Sequence, residues 1–173
     1  MHPRPNTAAL LRLSTLWRRY LRGRGALIRT INRIVGGVHV RLYRLTAGRV
    51  GGTLLGMPIL LLTVRGRRTG HRRTTALSFA RDGDTYLVLA GGSGSPHLPG
   101  WWINLRASGT ADVQVGARRL RVRAHAASPE EDARLWAVLV EQVGPHVAGY
   151  RAGLDRTVPL VVLEPMMDGA AVR

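Results

Sequence analysis

Four arginines crowd one short segment, Gly66-Arg67-Arg68-Thr69-Gly70-His71-Arg72-Arg73-Thr74, whose glycines bound a turn. Glycine lets a backbone approach a ligand closely, and a guanidinium forks onto phosphate or carboxylate oxygens. The segment has the chemistry of an anion cradle, with a solvated arginine hairpin as the equally simple alternative. It is not a P-loop, because no helix is expected after it and the chain contains no lysine. A second candidate is the loop Gly91-Gly92-Ser93-Gly94-Ser95-Pro96, which leads to Pro99-Gly100-Trp101-Trp102. Adjacent indoles stand out in a chain that is 5% aromatic, and they suit the wall of a pocket for a planar ring. Anchoring a short helix in the core is the other role open to them.

Other chemistries find little support. His2, His39, His71, His97, His125 and His146 lie far apart with no paired spacing, so no metal site is expected. Cysteine is absent, which excludes disulfides, thiolate ligands and a cysteine nucleophile. No G-x-S-x-G elbow occurs, and Glu130-Glu131-Asp132 reads as a helix start rather than a catalytic pair. Asp155 beside Arg156 suits a local ion pair or a turn cap.

The elements that must position these segments follow from a chain of 173 residues with 45% hydrophobic content, enough for one cored domain. Residues 7–22 carry a short amphipathic pattern, with Asn6 or Thr7 as its cap and Leu10, Leu13, Leu16 and Trp17 on one face. A longer stripe, Leu27, Ile31, Ile34, Val35, Val38, Leu42 and Leu45, predicts a helix with arginines at its edge. Strands are expected at 58–65, 72–81, 85–90, 111–115, 118–126 and 157–163, the last stopped by Pro165. Asp82-Gly83-Asp84 makes a hairpin turn, and short helices are expected at 100–107 and after Ser128-Pro129. The pattern is α+β, a small antiparallel barrel of about six strands with flanking helices. Residues 1–50 are expected as a basic amphipathic extension, and residues 51–173 as the barrel domain.

Charge is distributed unevenly. The net charge is +16, with 17 arginines and no acid before Asp82, then 9 arginines against 10 acids. Part of the excess reflects a composition that writes arginine in place of lysine. The remainder suits an anionic ligand, an anionic membrane surface or nucleic acid. No uncharged run is an unbroken spanning helix, and early arginines interrupt any signal-like apolar core. The chain is read as cytoplasmic, with residues 1–50 able to lie on the inner face of an anionic cell membrane.

Taken in order, certain segments resemble the deazaflavin-dependent nitroreductase family. They are Gly56-Met57-Pro58, Leu60-Leu61-Leu62-Thr63, Gly66-Arg67-Arg68-Thr69-Gly70, Arg73-Thr74-Thr75 and Arg81-Asp82-Gly83. Pro99-x-Trp101-x-x-Asn104-Leu105, Val113-x-Val115 and Asp155-Arg156-x-x-Pro159-x-Val161-Val162-x-Glu164-Pro165 follow, so the likeness spans residues 43–165. It implies a split β-barrel that binds coenzyme F420. It also implies that Arg67, Arg68, Thr69 and Arg73 hold the cofactor's phosphate and acidic glutamyl tail. Thr75, Ala76 and Leu77 would run beside the ring, with Ala90, Gly91, Gly92 and Trp101 nearby. Tyr150, Ser93 or a water would protonate the product.

The sequence departs from the family in places: Gly91 and Gly92 replace a common serine and lysine, Ser78 replaces an aromatic, and of several tyrosines before the final Asp-Arg only Tyr150 remains, with Gly144 and Val147 at the others. The implied function is an F420-dependent oxidoreductase that passes a hydride to an electron-poor apolar acceptor such as a quinone, enone or nitro compound. The alternative is a non-catalytic basic module, either a nucleic-acid binder or a deazaflavin carrier. No specific nucleic-acid partner is expected, because aromatics are not interleaved with the arginines.

Overall fold

The computed structural model describes residues 36–92, 95–144, 147, 149, 151, 153 and 156–166. The expected helix at 7–22 and the stripe from Leu27 to Val35 lie outside them. In chain order the elements are helix α1 (residues 36–45) and strands β1 (Thr53–Leu54), β2 (Met57–Arg65), β3 (Arg72–Ser78), β4 (Ala80–Asp82) and β5 (Thr85–Leu89). Then come α2 (Gly100–Ser108), β6 (Thr110–Val115), β7 (Arg118–Ala126), α3 (Pro129–Val143) and β8 (Leu160–Pro165).

β2 organises the sheet. Leu60, Leu62 and Val64 point into the barrel, while Ile59 and Leu61 point outward and pack with Tyr43 and Val40 of α1. Both faces are covered, so the strand reads as a continuous apolar run instead of an alternating one. β8 follows the same logic, with Val161 and Leu163 inside and Leu160 and Val162 outside beneath α3.

All pairings are antiparallel, in the order β1-β2-β6-β7-β8-β5-β4, with β3 on the other edge of β2. The expected strand at 72–81 is divided at Phe79. β3 pairs with β2 from Ile59↔Ser78 to Arg65↔Arg72, whereas β4 turns to pair with β5. The Phe79 N–H still donates to Pro58 O at 3.1 Å, so one bent segment joins the two ends of the sheet and closes the barrel. This division and the two-residue β1 raise the expected six strands to eight. β8 begins at Leu160 and not Thr157, since Pro159 has no N–H to enter a ladder.

α1 attaches through a buried side chain. The Tyr43 hydroxyl donates to Ile59 O at 2.9 Å and accepts from Gly116 N–H at 2.9 Å. Burial raises its pKa, and the Gly116 bond opposes that in part. The approach needs glycine: a Cβ on Gly48 would stand 2.9 Å from Gly116 Cα and 3.2 Å from the Tyr43 ring. The part of the apolar stripe that lies within the described residues does not face the barrel. Val38, Leu42 and Leu45 are exposed, and Val40 and Tyr43 meet the barrel.

α3 lies over β4, β5 and β8 through Leu135, Leu139 and Val143. Gln142 accepts from Arg81 N–H at 2.9 Å and donates to Arg81 O at 2.7 Å, so its amide pairs with the β4 backbone as a peptide would. The helix starts on a capping box: Ser128 Oγ accepts from Glu131 N–H, and the Glu131 carboxylate accepts from Ser128 N–H.

Replacing Ser128 by alanine is expected to lower the unfolding free energy by about 1 kcal/mol in a urea titration at neutral pH. The Ser128 N–H holds the Glu131 carboxyl below the ordinary glutamate range. Its contribution is complete above that range and is lost as pH falls through the lowered value. The stability gap between wild type and Glu131→Gln should therefore close in acid.

Candidate functional site

The β2–β3 turn and the first turns of α2 face each other across a cleft of about 460 Å³. Gly66, Arg67, Arg68, Thr69, Arg73 and Thr75 line one wall, and Gly100, Trp101, Ile103 and Asn104 line the other. Strand alternation selects the contributors from β3: Arg73 and Thr75 turn to the cleft, while Arg72 and Thr74 turn to the outer face. There Arg72 pairs with Asp112, and Thr74 bonds Thr63 and Arg44.

The turn is fixed locally and from across the cleft. Gly66 N–H donates to His71 O at 2.8 Å, and Gly70 N–H donates to Gly66 O at 2.7 Å. A Cβ on Gly66 would stand 2.9 Å from Thr69 Oγ1, so glycine lets Thr69 fold over the turn. Asn104 Oδ1 accepts from Arg67 N–H at 3.2 Å and ties the hairpin to α2. Unlike Arg72, the guanidinium groups of Arg67, Arg68 and Arg73 make no ion pair among the described residues.

The tryptophans divide the two roles open to them. Trp102 is buried in the barrel, whereas Trp101 is 9% exposed and also lines the cleft, with the ring centroids 6.2 Å apart. Of the other expected site residues, Leu77 packs on the barrel interior and Ala76 packs outward beside Tyr43. Ala90 is fully buried, Gly91 is buried and Gly92 is half-buried. None of the three lines the cleft; a Cβ on Gly92 would lie 3.6 Å from Pro99 Cδ, and Pro99 caps α2. Ser93 and Tyr150 lie outside the described residues. No group of three His, Cys, Asp or Glu among the described residues is placed to hold a metal.

Two residues had no role in the sequence reading of the site. One is Asn104, whose link to Arg67 spans 37 positions. The other is Arg156, whose guanidinium donates to Ala90 O, Gly91 O, Ser95 O, His97 O and Thr157 O. Its partners are carbonyl oxygens 59 to 66 positions away, with the neighbouring Thr157 as the exception. The expected partner, Asp155, lies outside the described residues. Backbone partners at such separation leave no mark on spacing.

Residues 36–165 match the family model described as F420H(2)-dependent quinone reductase. An F420H(2)-dependent quinone reductase of Mycobacterium tuberculosis is 40% identical over 129 residues, covering 73% of this chain and 87% of that protein. A solved structure described as an F420-H2 dependent reductase is 31% identical, covers 65% of this chain and 98% of its own, and superposes with a TM-score of 0.57. Another, described as a domain-swapped dimer, is 28% identical, covers 77% and 98%, and has a TM-score of 0.59.

Removing the Asn104 acceptor by Asn104→Ala frees the arginine turn from α2. A net hydrogen bond contributes about 1 kcal/mol, so the Arg67 amide should exchange with solvent about fivefold faster, as read by NMR. The β2–β6 amides should keep their protection.

Proposed function

This chain belongs to the F420H(2)-dependent quinone reductase family, and from that premise we propose that it binds coenzyme F420 in the cleft between the β2–β3 turn and α2. The reaction is reduction of an electron-poor apolar acceptor, a quinone first, with enones and nitro compounds as acceptors of the same electronic kind. Membership of an enzyme family displaces the non-catalytic binding module as a reading.

The observation that carries the assignment is the donor set. Three guanidinium groups with no ion pair among the described residues, the Thr69 hydroxyl and an indole share one cleft. An elongated anionic molecule with a planar ring fits such a set, and coenzyme F420 combines a deazaflavin ring with a phosphate and a glutamyl tail. When bound, the reduced deazaflavin supplies a hydride. The protein's work is to bind, orient and exclude water. Arg67, Arg68 and Arg73 hold the phosphate and tail by charge-assisted hydrogen bonds, with Thr69 adding a hydroxyl. Thr75 and Trp101 flank the ring from the cleft walls, while Ala76, Leu77, Ala90, Gly91 and Gly92 would meet it only through backbone. Tyr150, Ser93 or a water delivers the proton that completes reduction of the acceptor.

Single Arg67→Ala, Arg68→Ala and Arg73→Ala variants should each weaken binding of the oxidised deazaflavin by about one to two decades, since a charged hydrogen bond contributes about 1.5–3 kcal/mol. Fluorescence quenching measures this, with riboflavin phosphate as the comparison ligand. Unchanged affinity in all three variants overturns the placement.

We propose in addition that the N-terminal part of the chain rests on an anionic membrane, where apolar quinones reside. Leu45 (83% exposed) and Leu55 (88% exposed) are exposed together with Val38, Leu42, Val50 and Leu54 in one stretch of chain that also carries the exposed Arg41 and Arg49. Apolar side chains flanked by cations suit a headgroup boundary. No helix among the described residues is long and apolar enough to cross a membrane, so the association is peripheral. The full chain should sediment with anionic liposomes and not with neutral ones, and a Leu45→Glu/Leu55→Glu variant should lose that preference. Equal sedimentation with both lipids removes the membrane role.

A further inference from the structure

We propose that Arg156 is a positioning residue for the cofactor site: it holds the backbone of residues 90–92 and 95–97 so that the Gly91 and Gly92 N–H groups, and not side chains, face the bound ring. The inference rests on the cleft being the deazaflavin site.

A guanidinium has five N–H donors in a planar fork and no acceptor. Arg156 spends its donors on carbonyl oxygens, with Nη2 on Gly91 O at 2.8 Å and His97 O at 3.3 Å, and Nε on Ser95 O at 3.3 Å. Nη1 reaches Thr157 O at 3.2 Å and Ala90 O at 3.5 Å. The side chain thus staples both ends of the loop to the approach of β8. It makes no ion pair among the described residues, where its partners are backbone carbonyl dipoles.

Those bonds dictate the other side of the loop. In a trans peptide the C=O and the following N–H point in opposite directions, and no peptide bond described here is cis. With Ala90 O and Gly91 O drawn to Arg156, the N–H groups of Gly91 and Gly92 are turned away from it. Neither donates to an acceptor among the described residues, although Gly91 is buried. A buried backbone donor with no acceptor among the described residues can take one from a ligand, and ring carbonyl oxygens are acceptors of the right kind. Gly92 belongs to the same device: its φ is +64°, and a Cβ there would stand 3.3 Å from His97 O and 3.6 Å from Arg156 Nη2. The loop runs on to Pro99, whose carbonyl accepts from Trp102 N–H and Ile103 N–H to start the helix that walls the cleft.

The decisive variant is Arg156→Lys, which keeps the charge but has three donors clustered on one atom in place of the fork. It should loosen the loop and weaken deazaflavin binding about tenfold although the net charge is unchanged. Amide exchange across residues 90–103 should quicken about tenfold with the β2–β6 ladder unaffected. With the loaded enzyme, kcat should fall while KM for a quinone moves less than twofold. Gly92→Ala keeps the guanidinium and crowds the loop from the other side, so it should give the same exchange and affinity pattern should the lysine variant not fold. Wild-type affinity and wild-type exchange in Arg156→Lys overturn the positioning role and leave the F420 assignment standing. If the wild type itself binds no deazaflavin, the assignment falls, and the ring-facing part of this proposal falls with it.

Discussion

β2 has no face turned to water, and the rest of the molecule is arranged around that constraint. Its inner row of Leu60, Leu62 and Val64 commits the sheet to curl around a core. Its outer row of Ile59 and Leu61 commits α1 to lie across the barrel, fastened by the Tyr43 hydroxyl. A strand buried on both sides has its register fixed, since a one-residue slip would exchange the two rows. That fixed register delivers the arginine turn to the same place each time the chain folds. The charged cradle is therefore positioned by apolar packing, which acts on residues that never touch a ligand.

Within that frame, neighbouring arginines meet different ends. Arg72 faces outward and finds Asp112, while Arg73, one position on, faces the cleft and finds no acid there. Arg151 is held by the Asp132 carboxylate and lies over the Trp136 ring, 4.5 Å from its centroid. Arg156 is satisfied by carbonyl oxygens. Strand pleating and local geometry, not composition, decide which cations are free for a ligand. A net charge of +16 on its own says little about where binding occurs.

Much of this was legible in the sequence, and the parts that were not share a cause. The β2 run, the Asp82-Gly83-Asp84 turn and the Ser128-Pro129-Glu130-Glu131 helix start are local patterns, and each formed where expected. The arginine turn also formed between two strands as expected, and Trp101 lines the cleft beside it. The bend at Phe79 was not legible, since barrel closure and not propensity ends β3 there. The apolar periodicity picked out Val38, Leu42 and Leu45 as one face of α1 and left open whether it meets the barrel or lipid. Tyr43, whose ring buries while its hydroxyl finds two backbone partners, carries the contact instead. Arg156 was read only as a neighbour for Asp155 and a mark of the resemblance, because carbonyl acceptors have no signature in side-chain types.

Barrel closure by a bent strand leaves β4 with an edge that no other strand takes, and bare edges of this kind invite a second molecule to add itself. Gln142 fills that place with a single side-chain amide, acceptor and donor in the order a neighbouring peptide would offer. The amide can satisfy one residue's backbone but cannot extend a ladder, so the edge is closed without becoming a template. Crowded solutions, in which exposed edges zip molecules into fibres, are where that one glutamine would matter to the protein's solubility.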